Sequence, residues 1–223
     1  MTPAELQKIA AWAANLTSEE AERAAHGITT REYGRGAYVC HRGDMFDQWT
    51  GVVSGICKLS TISSEGKDIS YSGVPAGGWF GEGSLIKNEP RKYDIVAVRD
   101  TTLALMNGAT FRWLFENSTG FNRFLVFQLN ERLGQFIGML GYDRMLDATG
   151  RLARTIAWLF NPVLFPDVGD RLEISQQELA LLSGLSRQAA NKALKTLADE
   201  GLLATDAGGI EVRNVDRLIH YGE

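Results

Sequence analysis

The chain has 223 residues and a mass of 24.5 kDa, which is enough for two small domains with separate hydrophobic cores. Its net charge of −4 argues against a protein that coats nucleic acid nonspecifically. No apolar run approaches the roughly 18 residues of a membrane span, and the amino-terminal segment lacks the basic-then-apolar order of a signal peptide. We therefore expect a cytoplasmic protein.

Two cysteines, Cys40 and Cys57, exclude a four-cysteine zinc or iron–sulfur site, and three separated histidines give no support to a metal site.

The first 26 residues have the apolar spacing of helices, and a β-type pattern follows from about Gly34 to Met106. Short apolar runs there alternate with glycine-containing turns. The predicted strands are Ala37–Cys40, Gly51–Ile56, Lys58–Ile62, Asp68–Val74, Ile95–Val98 and Thr102–Met106. Strands at this spacing favour an antiparallel barrel or sandwich.

Helical periodicity returns after Gly108, with a short helix predicted over Thr110–Asn117 and a long one over Thr119–Arg144. At 1.5 Å per residue the long helix would measure about 39 Å. Its apolar stripe comprises Phe121, Leu125, Leu129, Leu133, Phe136, Ile137 and Leu140. The periodicity is compatible with packing on the core of its own domain and equally with a dimer seam that resembles a short coiled coil.

The chain then breaks at a predicted hinge. Asp147 is suited to cap a helix over Arg151–Phe160, because its carboxylate can accept the first unpaired N–H groups, and Asn161-Pro162 ends that helix. The predicted organisation is a β domain over residues 1–117, a linking helix and hinge over 118–146, and a helical domain over 147–223.

The segment from Ser175 to Leu197 carries the densest functional signal. Ser175 and Glu178 form a capping box ahead of a first apolar helix. Gly184 permits a tight turn, and Ser186 caps a second helix. This order predicts a helix-turn-helix. The second helix is basic and free of acidic residues up to Leu197, although residues 147–223 contain eleven acidic and eight basic residues.

Candidate DNA contacts lie at the starts of these two helices. Arginine can read guanine through two hydrogen bonds, and glutamine or asparagine can read adenine. The start of a recognition helix enters the major groove, and the start of the preceding helix can meet phosphate. The candidate residues are Ser175, Gln176, Gln177, Ser186, Arg187, Gln188, Asn191, Lys192 and Lys195. The alternative is a structural helical hairpin with a solvated basic face; two further strands around Gly208-Gly209, which resemble a wing, favour DNA binding.

Several short motifs follow one another in a defined order. They are Arg42-Gly-Asp, Val52-Val-Ser-Gly55, Gly66-Lys, Gly78-Trp-Phe-Gly-Glu-Gly-Ser-Leu85, Leu146-Asp-Ala-Thr-Gly-Arg-Leu-Ala153, Ser175-Gln-Gln-Glu178 and Ser186-Arg-Gln. In order and spacing, from about Gly34 to Arg217, they resemble the family of the catabolite activator protein and the Fnr oxygen regulator.

The resemblance implies an α+β fold with an N-terminal double-stranded β-helix, a jelly-roll of the cyclic-nucleotide-binding type. A long dimerisation helix and a C-terminal winged helix-turn-helix would follow. It implies a homodimeric transcription regulator that binds a double-stranded DNA operator, responds to a small effector and, if an activator, contacts RNA polymerase. It also favours the dimer seam for the apolar stripe.

By the same resemblance, the effector site would comprise Gly81, Glu82, Ser84, Arg91, Lys92 and Tyr93. In cyclic-AMP-binding members, a Gly-Glu segment and a downstream Arg-Ser-(Ala/Thr) hold the cyclic phosphate and ribose. Lys92 and Tyr93 stand here in place of the two small residues. Glu82 and Arg91 are retained, either to hold another anion or to pair with each other.

The family's adenine-reading positions on the long helix correspond to Phe136 and Ile137, which cannot hydrogen-bond a base. We therefore expect an effector other than cyclic AMP. Oxygen sensing of the Fnr type needs N-terminal cysteines, which this chain lacks, and no axial haem ligand can be assigned. The effector thus stays unknown, and no metal, haem or iron–sulfur cofactor is predicted.

Other functional classes fit less well. An enzyme is not expected, because the chain has neither a GxxxxGK[ST] phosphate loop nor the third glycine of a dinucleotide fingerprint, and a metal-dependent β-barrel would need more histidines. A cyclic-nucleotide domain that regulates another protein would have no use for the helix-turn-helix. A DNA-binding regulator that needs no effector is a further alternative.

Overall fold

The computed structural model describes residues 1–66, 68–166, 168–206 and 208–222, with no side chains described at residues 140 and 142–144. The chain begins with α1 (Pro3–Ile9), a 3-10 turn (Ala11–Asn15) and α2 (Ser18–His26). Both helices start at a threonine, Thr2 and Thr17, whose hydroxyl accepts the backbone N–H three residues later.

The β region consists of short strands and one helical turn. They are β1 (Ile28–Tyr33), β2 (Tyr38–Cys40), β3 (Gln48–Ser54), β4 (Ile56–Ile62), β5 (Asp68–Pro75), β6 (Trp79–Phe80), α3 (Glu82–Lys87), β7 (Asp94–Ala97) and β8 (Thr101–Asn107). Antiparallel pairing gives one sheet in the order β1-β8-β3-β6 and another in the order β2-β7-β4-β5. The expected antiparallel β domain is confirmed.

Two strands of this domain were not predicted. Most of β1 is exposed, so its sequence lacks the alternation of apolar and polar residues that marks a strand. The strand β6 has two residues, too few for any periodicity. Both are defined by their neighbours, since β1 pairs with β8 along its whole length and β6 pairs with β3.

The rest of the chain is mainly helical. It comprises α4 (Gly108–Asn117), α5 (Thr119–Met145), α6 (Ala148–Leu159), β9 (Arg171–Leu172), α7 (Gln176–Ser183), α8 (Arg187–Asp199), β10 (Leu203–Thr205), β11 (Ile210–Val212) and α9 (Val215–Ile219). The protein is thus an α+β chain with an N-terminal β domain, a long helix and a C-terminal helix-turn-helix domain. Within the described ranges, no helix is long and apolar enough to cross a membrane.

The long helix α5 divides into two parts, which corrects the prediction of one continuous seam. Phe121 and Leu125 are 0% and 2% exposed, and they pack in a core that contains Trp12 and Trp49. The ring of Phe121 lies 5.3 Å from that of Trp49, in an edge-to-face arrangement. These two residues of the stripe therefore serve the β domain of their own chain.

The second part of the stripe is exposed. Leu133 and Ile137 are 57% and 62% exposed, and Leu129 and Phe136 are also accessible. The side chain of Leu140 lies outside the described residues. An apolar surface of this length on one helix is unusual for a chain that stays alone in water.

Candidate functional sites

The helix-turn-helix is built by the caps that its sequence contains. The hydroxyl of Ser175 accepts the N–H of Glu178 at 3.2 Å, and the Glu178 carboxylate accepts the N–H of Ser175 at 2.6 Å. Gly184 has φ 64°, where a side chain would be strained, and the Ser186 hydroxyl accepts the N–H of Ala189 at 3.2 Å. These contacts end α7 and start α8 within a few residues.

The predicted recognition face of α8 is polar and accessible. Arg187, Gln188, Lys192 and Lys195 are exposed, and within the described part of the chain their side chains have no hydrogen bond or ion pair. Asn191 is partly buried, so it is the least accessible member of the predicted set. The opposite face of α8 is buried in the domain core through Ala190, Ala193, Leu194 and Leu197.

The predicted phosphate-contact residues also lie on the surface. Ser175, Gln176 and Gln177 are exposed at the start of α7, where unpaired backbone N–H groups and the helix dipole favour an anion. Gln177 lines the same groove as Arg187 at the start of α8.

The predicted wing is present, with one more strand than the sequence indicated. Strands β10 and β11 pair with each other, and β9 adds to β11, which the sequence analysis missed because β9 has two residues. Between β10 and β11, Asp206 accepts the N–H groups of Gly208 and Gly209 and pairs with Arg171 at 2.8 Å. The pKa of the Asp206 carboxyl is lowered mainly by the hydrogen bond from the Arg171 guanidinium, and to a smaller extent by these backbone hydrogen bonds.

The predicted effector residues are arranged differently from the expectation. Arg91 is 2% exposed, and its guanidinium donates to the carbonyl oxygens of Gly81 at 2.7 Å and Gln48 at 2.5 Å. Gly81 has φ 96°, and a side chain there would collide with that guanidinium. Arg91 therefore fixes the loop around Gly81 through backbone contacts.

Glu82 has another partner. Its carboxylate pairs with Arg132 of α5, with 2.6 Å between Nη1 and Oε1, and accepts the indole N–H of Trp49 at 3.3 Å. Arg132 also donates to the carbonyl of Trp79. Of the two alternatives for Glu82 and Arg91, the ion pair between them is not formed, since each has its own partners.

The other three predicted residues lie in different places. Lys92 is exposed, and its ammonium group lies 3.2 Å from the carboxylate of Glu89, outside the barrel. Ser84 lines a surface depression on α3. Tyr93 packs at the edge of the barrel core. Burial is the main reason that the pKa of its phenol is raised, and the negative charge of Glu82 adds to the increase. In this structure Glu82 and Arg91 are buried, Tyr93 packs against the barrel core, and Ser84 and Lys92 lie at separate surface positions, so the effector site formed by these five residues stays a prediction.

Sequence reasoning missed Arg132. Arg132 is the residue before Leu133, a member of the apolar stripe of α5. From the sequence, a cation at this position is expected to face water. Only the packing of α5 against the β domain brings it to Glu82, fifty residues away in the chain.

Comparison with known proteins agrees with this architecture. A model of the cyclic nucleotide-binding domain matches residues 30–118, and a model of the Crp-like helix-turn-helix domain matches residues 150–221. The chain belongs to the Crp/Fnr family.

Among the Crp/Fnr relatives, the cyclic AMP receptor protein of Thermus thermophilus is 28% identical over 203 residues, which are 91% of this chain and 92% of that protein. The crystal structure of Thermus thermophilus catabolite activator protein matches with a TM-score of 0.51 and 26% identity, over 92% of this chain and 96% of the other. FixK2 from Bradyrhizobium japonicum, with a TM-score of 0.66 and 19% identity over 86% of this chain and 96% of its own, shows the same fold.

The protein is therefore a DNA-binding transcriptional regulator of the Crp/Fnr type with a cyclic nucleotide-binding domain. The family is a class of transcription regulators and not a class of enzymes.

Proposed function

We propose that the protein binds, as a two-fold dimer, a pseudo-palindromic operator whose half-sites lie about one helical turn apart. The observation that supports this most is the set of exposed polar side chains at the start of α8, with no partner in the described chain. Arg187 is the principal base reader, and Gln188, Asn191 and Lys192 add specificity. Lys195 and Ser186 border the groove, and Ser175, Gln176 and Gln177 meet phosphate.

The dimer forms along the exposed part of α5. Leu129, Leu133, Phe136 and Ile137 lie on the exposed face of this helix. Pairing with the same helix of a second chain removes this apolar surface from water. A two-fold axis there gives each operator half-site one helix-turn-helix, and an activator would present the same dimer to RNA polymerase.

The β domain responds to a small effector that differs from cyclic AMP. Lys92 points to the surface, and Phe136 and Ile137 offer no hydrogen bond to a base. A base edge buried without partners would lose about 1–3 kcal/mol for each unmade hydrogen bond.

Cyclic AMP itself is the second candidate. It is favoured by the Thermus thermophilus relative, which is named a cyclic AMP receptor protein, and by the presence of both Glu82 and Arg91. Titration calorimetry with cyclic AMP, repeated with operator DNA, separates the two candidates. Micromolar binding that tightens DNA binding would establish cyclic AMP, whereas weak binding without effect on operator affinity supports a different effector.

The DNA-binding proposal is tested by selecting duplexes from a random library with the full-length protein and measuring their affinity for variants. We expect Arg187→Ala to weaken binding by about 1–3 kcal/mol and to relax the preference at one base position. Arg112→Ala serves as control, because Arg112 pairs with Asp47 within the β domain. Unchanged affinity and base preference for Arg187→Ala would contradict the placement of α8 in the groove.

A further inference from the structure

The tip of the wing holds an acidic side chain next to the proposed DNA surface. Asp206 follows β10, and its carboxylate accepts the N–H groups of Gly208 at 2.8 Å and Gly209 at 3.0 Å. Arg171 of β9 donates from Nη2 to both oxygens of the same carboxylate, at 2.9 and 2.8 Å. One guanidinium and two backbone N–H groups therefore converge on a single anion.

Two glycines leave room for this arrangement. A β carbon at Gly208 would lie 3.2 Å from Nη2 of Arg171 and 3.4 Å from Oδ1 of Asp206. At Gly209 a β carbon would collide with the carbonyl oxygen of Leu172 in β9. We call the guanidinium of Arg171 and the N–H groups of Gly208 and Gly209 the wing-tip anion site.

The ion pair that fills the wing-tip anion site is exposed. The side chains of Arg171 and Asp206 are 44% and 55% accessible. An ion pair of this kind is weak, because water solvates both charges and salt screens them. A guanidinium binds a phosphate through the same pair of parallel hydrogen bonds as a carboxylate. A phosphate can therefore displace the carboxylate of Asp206 from the site.

Arg171 sets the sign of the charge at this edge of the domain. In the sequence of residues 171–173 and 206–211, it is the one cation beside three carboxylates, those of Glu173, Asp206 and Glu211. Glu211 is its partner in the register of β9 and β11. Without the guanidinium this edge would repel a phosphate backbone, so a contact with DNA here depends on Arg171.

The site lies close to the proposed phosphate contacts of α7. Strand β9 ends at Leu172, and Ser175 caps α7 three residues later. The four residues from Arg171 to Ser175 span at most about 14 Å when fully extended. Phosphates recur about every 3.4 Å of helix axis on each DNA strand. A phosphate bound at the start of α7 therefore leaves a second phosphate of the same strand within reach of Arg171.

We propose that the wing-tip anion site binds a backbone phosphate of the operator and that Asp206 is its built-in competitor. The carboxylate of Asp206 occupies the site in the free protein, and a phosphate replaces it in the DNA complex. The proposal rests on the DNA-binding function proposed above. Because a phosphate contact carries no base information, Asp206 lowers the affinity for all duplexes alike and leaves sequence recognition to α8.

The test uses two conservative variants of the full-length protein. Asp206→Asn keeps an acceptor for the two glycine N–H groups and removes the competing charge. Arg171→Gln keeps a donor for Asp206 and removes the charge that binds phosphate. The unmodified protein selects a duplex from a random library, and fluorescence anisotropy measures the affinity of each variant for that duplex over a range of salt concentrations.

The two variants should change DNA affinity in opposite directions. We expect about threefold tighter binding for Asp206→Asn, since the lost competitor is a weak exposed pair. Arg171→Gln should bind about tenfold more weakly, because it loses a charge-assisted hydrogen bond to phosphate. Its plot of log affinity against log salt concentration should also be shallower by about one unit of slope for each half-site.

Matched controls lie beyond the opposite end of β11. Arg213→Gln and Asp216→Asn change the same charges on exposed residues of the same domain, at a distance from the wing tip. Both should bind the duplex as the unmodified protein does. Equal changes in these controls would reduce the effect to net charge and overturn the proposal.

A folded Asp206→Asn protein that binds no more tightly than the unmodified one also overturns the proposal, as does Arg171→Gln with unchanged affinity and salt dependence. Urea unfolding shows whether each variant is folded, and Arg171→Gln decides alone if Asp206→Asn is not. If even the unmodified protein selects no duplex, the proposed DNA-binding function fails together with this contact.

Discussion

The β domain and the helix-turn-helix both contain charged residues from recognised motifs, but these residues are buried and paired in the first and exposed in the second. Arg91 and Glu82 are buried, and each is held by other groups of the chain: the two terminal nitrogens of Arg91 donate to backbone carbonyls, and Glu82 pairs with Arg132. Arg187 and Lys192 are exposed and have no partner among the described residues. A buried charge has to be satisfied internally, because leaving it unpaired costs far more free energy than folding can supply. An arginine in a motif thus indicates a ligand only where the fold leaves it accessible.

The largest expected effect is on dimer association through α5, where apolar residues are likewise buried in one half of the helix and exposed in the other. Leu133→Glu places a charge in the proposed dimer seam, which costs several kcal/mol of association free energy unless the charge is paired. Sedimentation should show monomers for Leu133→Glu and dimers for Leu133→Met, which keeps the apolar contact. A native protein that is monomeric at micromolar concentration would rule out the seam.

The next effect sharpens the contrast between the two arginines. Arg91→Ala leaves the carbonyls of Gly81 and Gln48 without this donor, at about 1–3 kcal/mol each, and should lower the free energy of unfolding by about 2–6 kcal/mol. Arg187→Ala should leave unfolding unchanged and weaken DNA binding alone. Urea unfolding and DNA titration of both variants measure this. Equal stability of Arg91→Ala and the unmodified protein would show that Arg91 is available for a ligand.

The smallest expected effect is the pH dependence of stability that comes from the two buried cysteines. Burial raises the pKa of the Cys40 thiol from 9.0 to about 11 and that of Cys57 from 9.0 to about 12. Between pH 9 and 11 the unfolded chain loses these protons while the folded chain keeps them. The free energy of unfolding should therefore fall as pH rises, by about 1 kcal/mol per pH unit for each thiol.

Urea unfolding at pH 8 and pH 10 measures this decrease. A Cys40→Ala/Cys57→Ala variant is the control, because lysines and tyrosines titrate in the same range. If both proteins lose the same stability between the two pH values, the thiols are not buried as the structure places them.

Local chemistry made the helix-turn-helix predictable. The Ser175 capping box, the left-handed Gly184 and the Ser186 cap each act within four residues, so the sequence contains both partners of every contact. The exposure of Arg187 and Gln188 follows from the helical period once the buried face of α8 is known. The antiparallel β domain was predictable for a similar reason, since turns and alternation are local signals.

The sequence by itself determined the order of elements, the caps and the residue types of the proposed DNA surface. The tertiary structure decided which half of α5 is buried, that Arg132 and not Arg91 neutralises Glu82, and that Phe165 packs inside the barrel. Each of these depends on residues far apart in the chain that meet only after the domains have packed. A periodic apolar stripe or a charged motif indicates which kinds of contact a side chain can make. Packing decides which neighbour the side chain contacts and whether water reaches it.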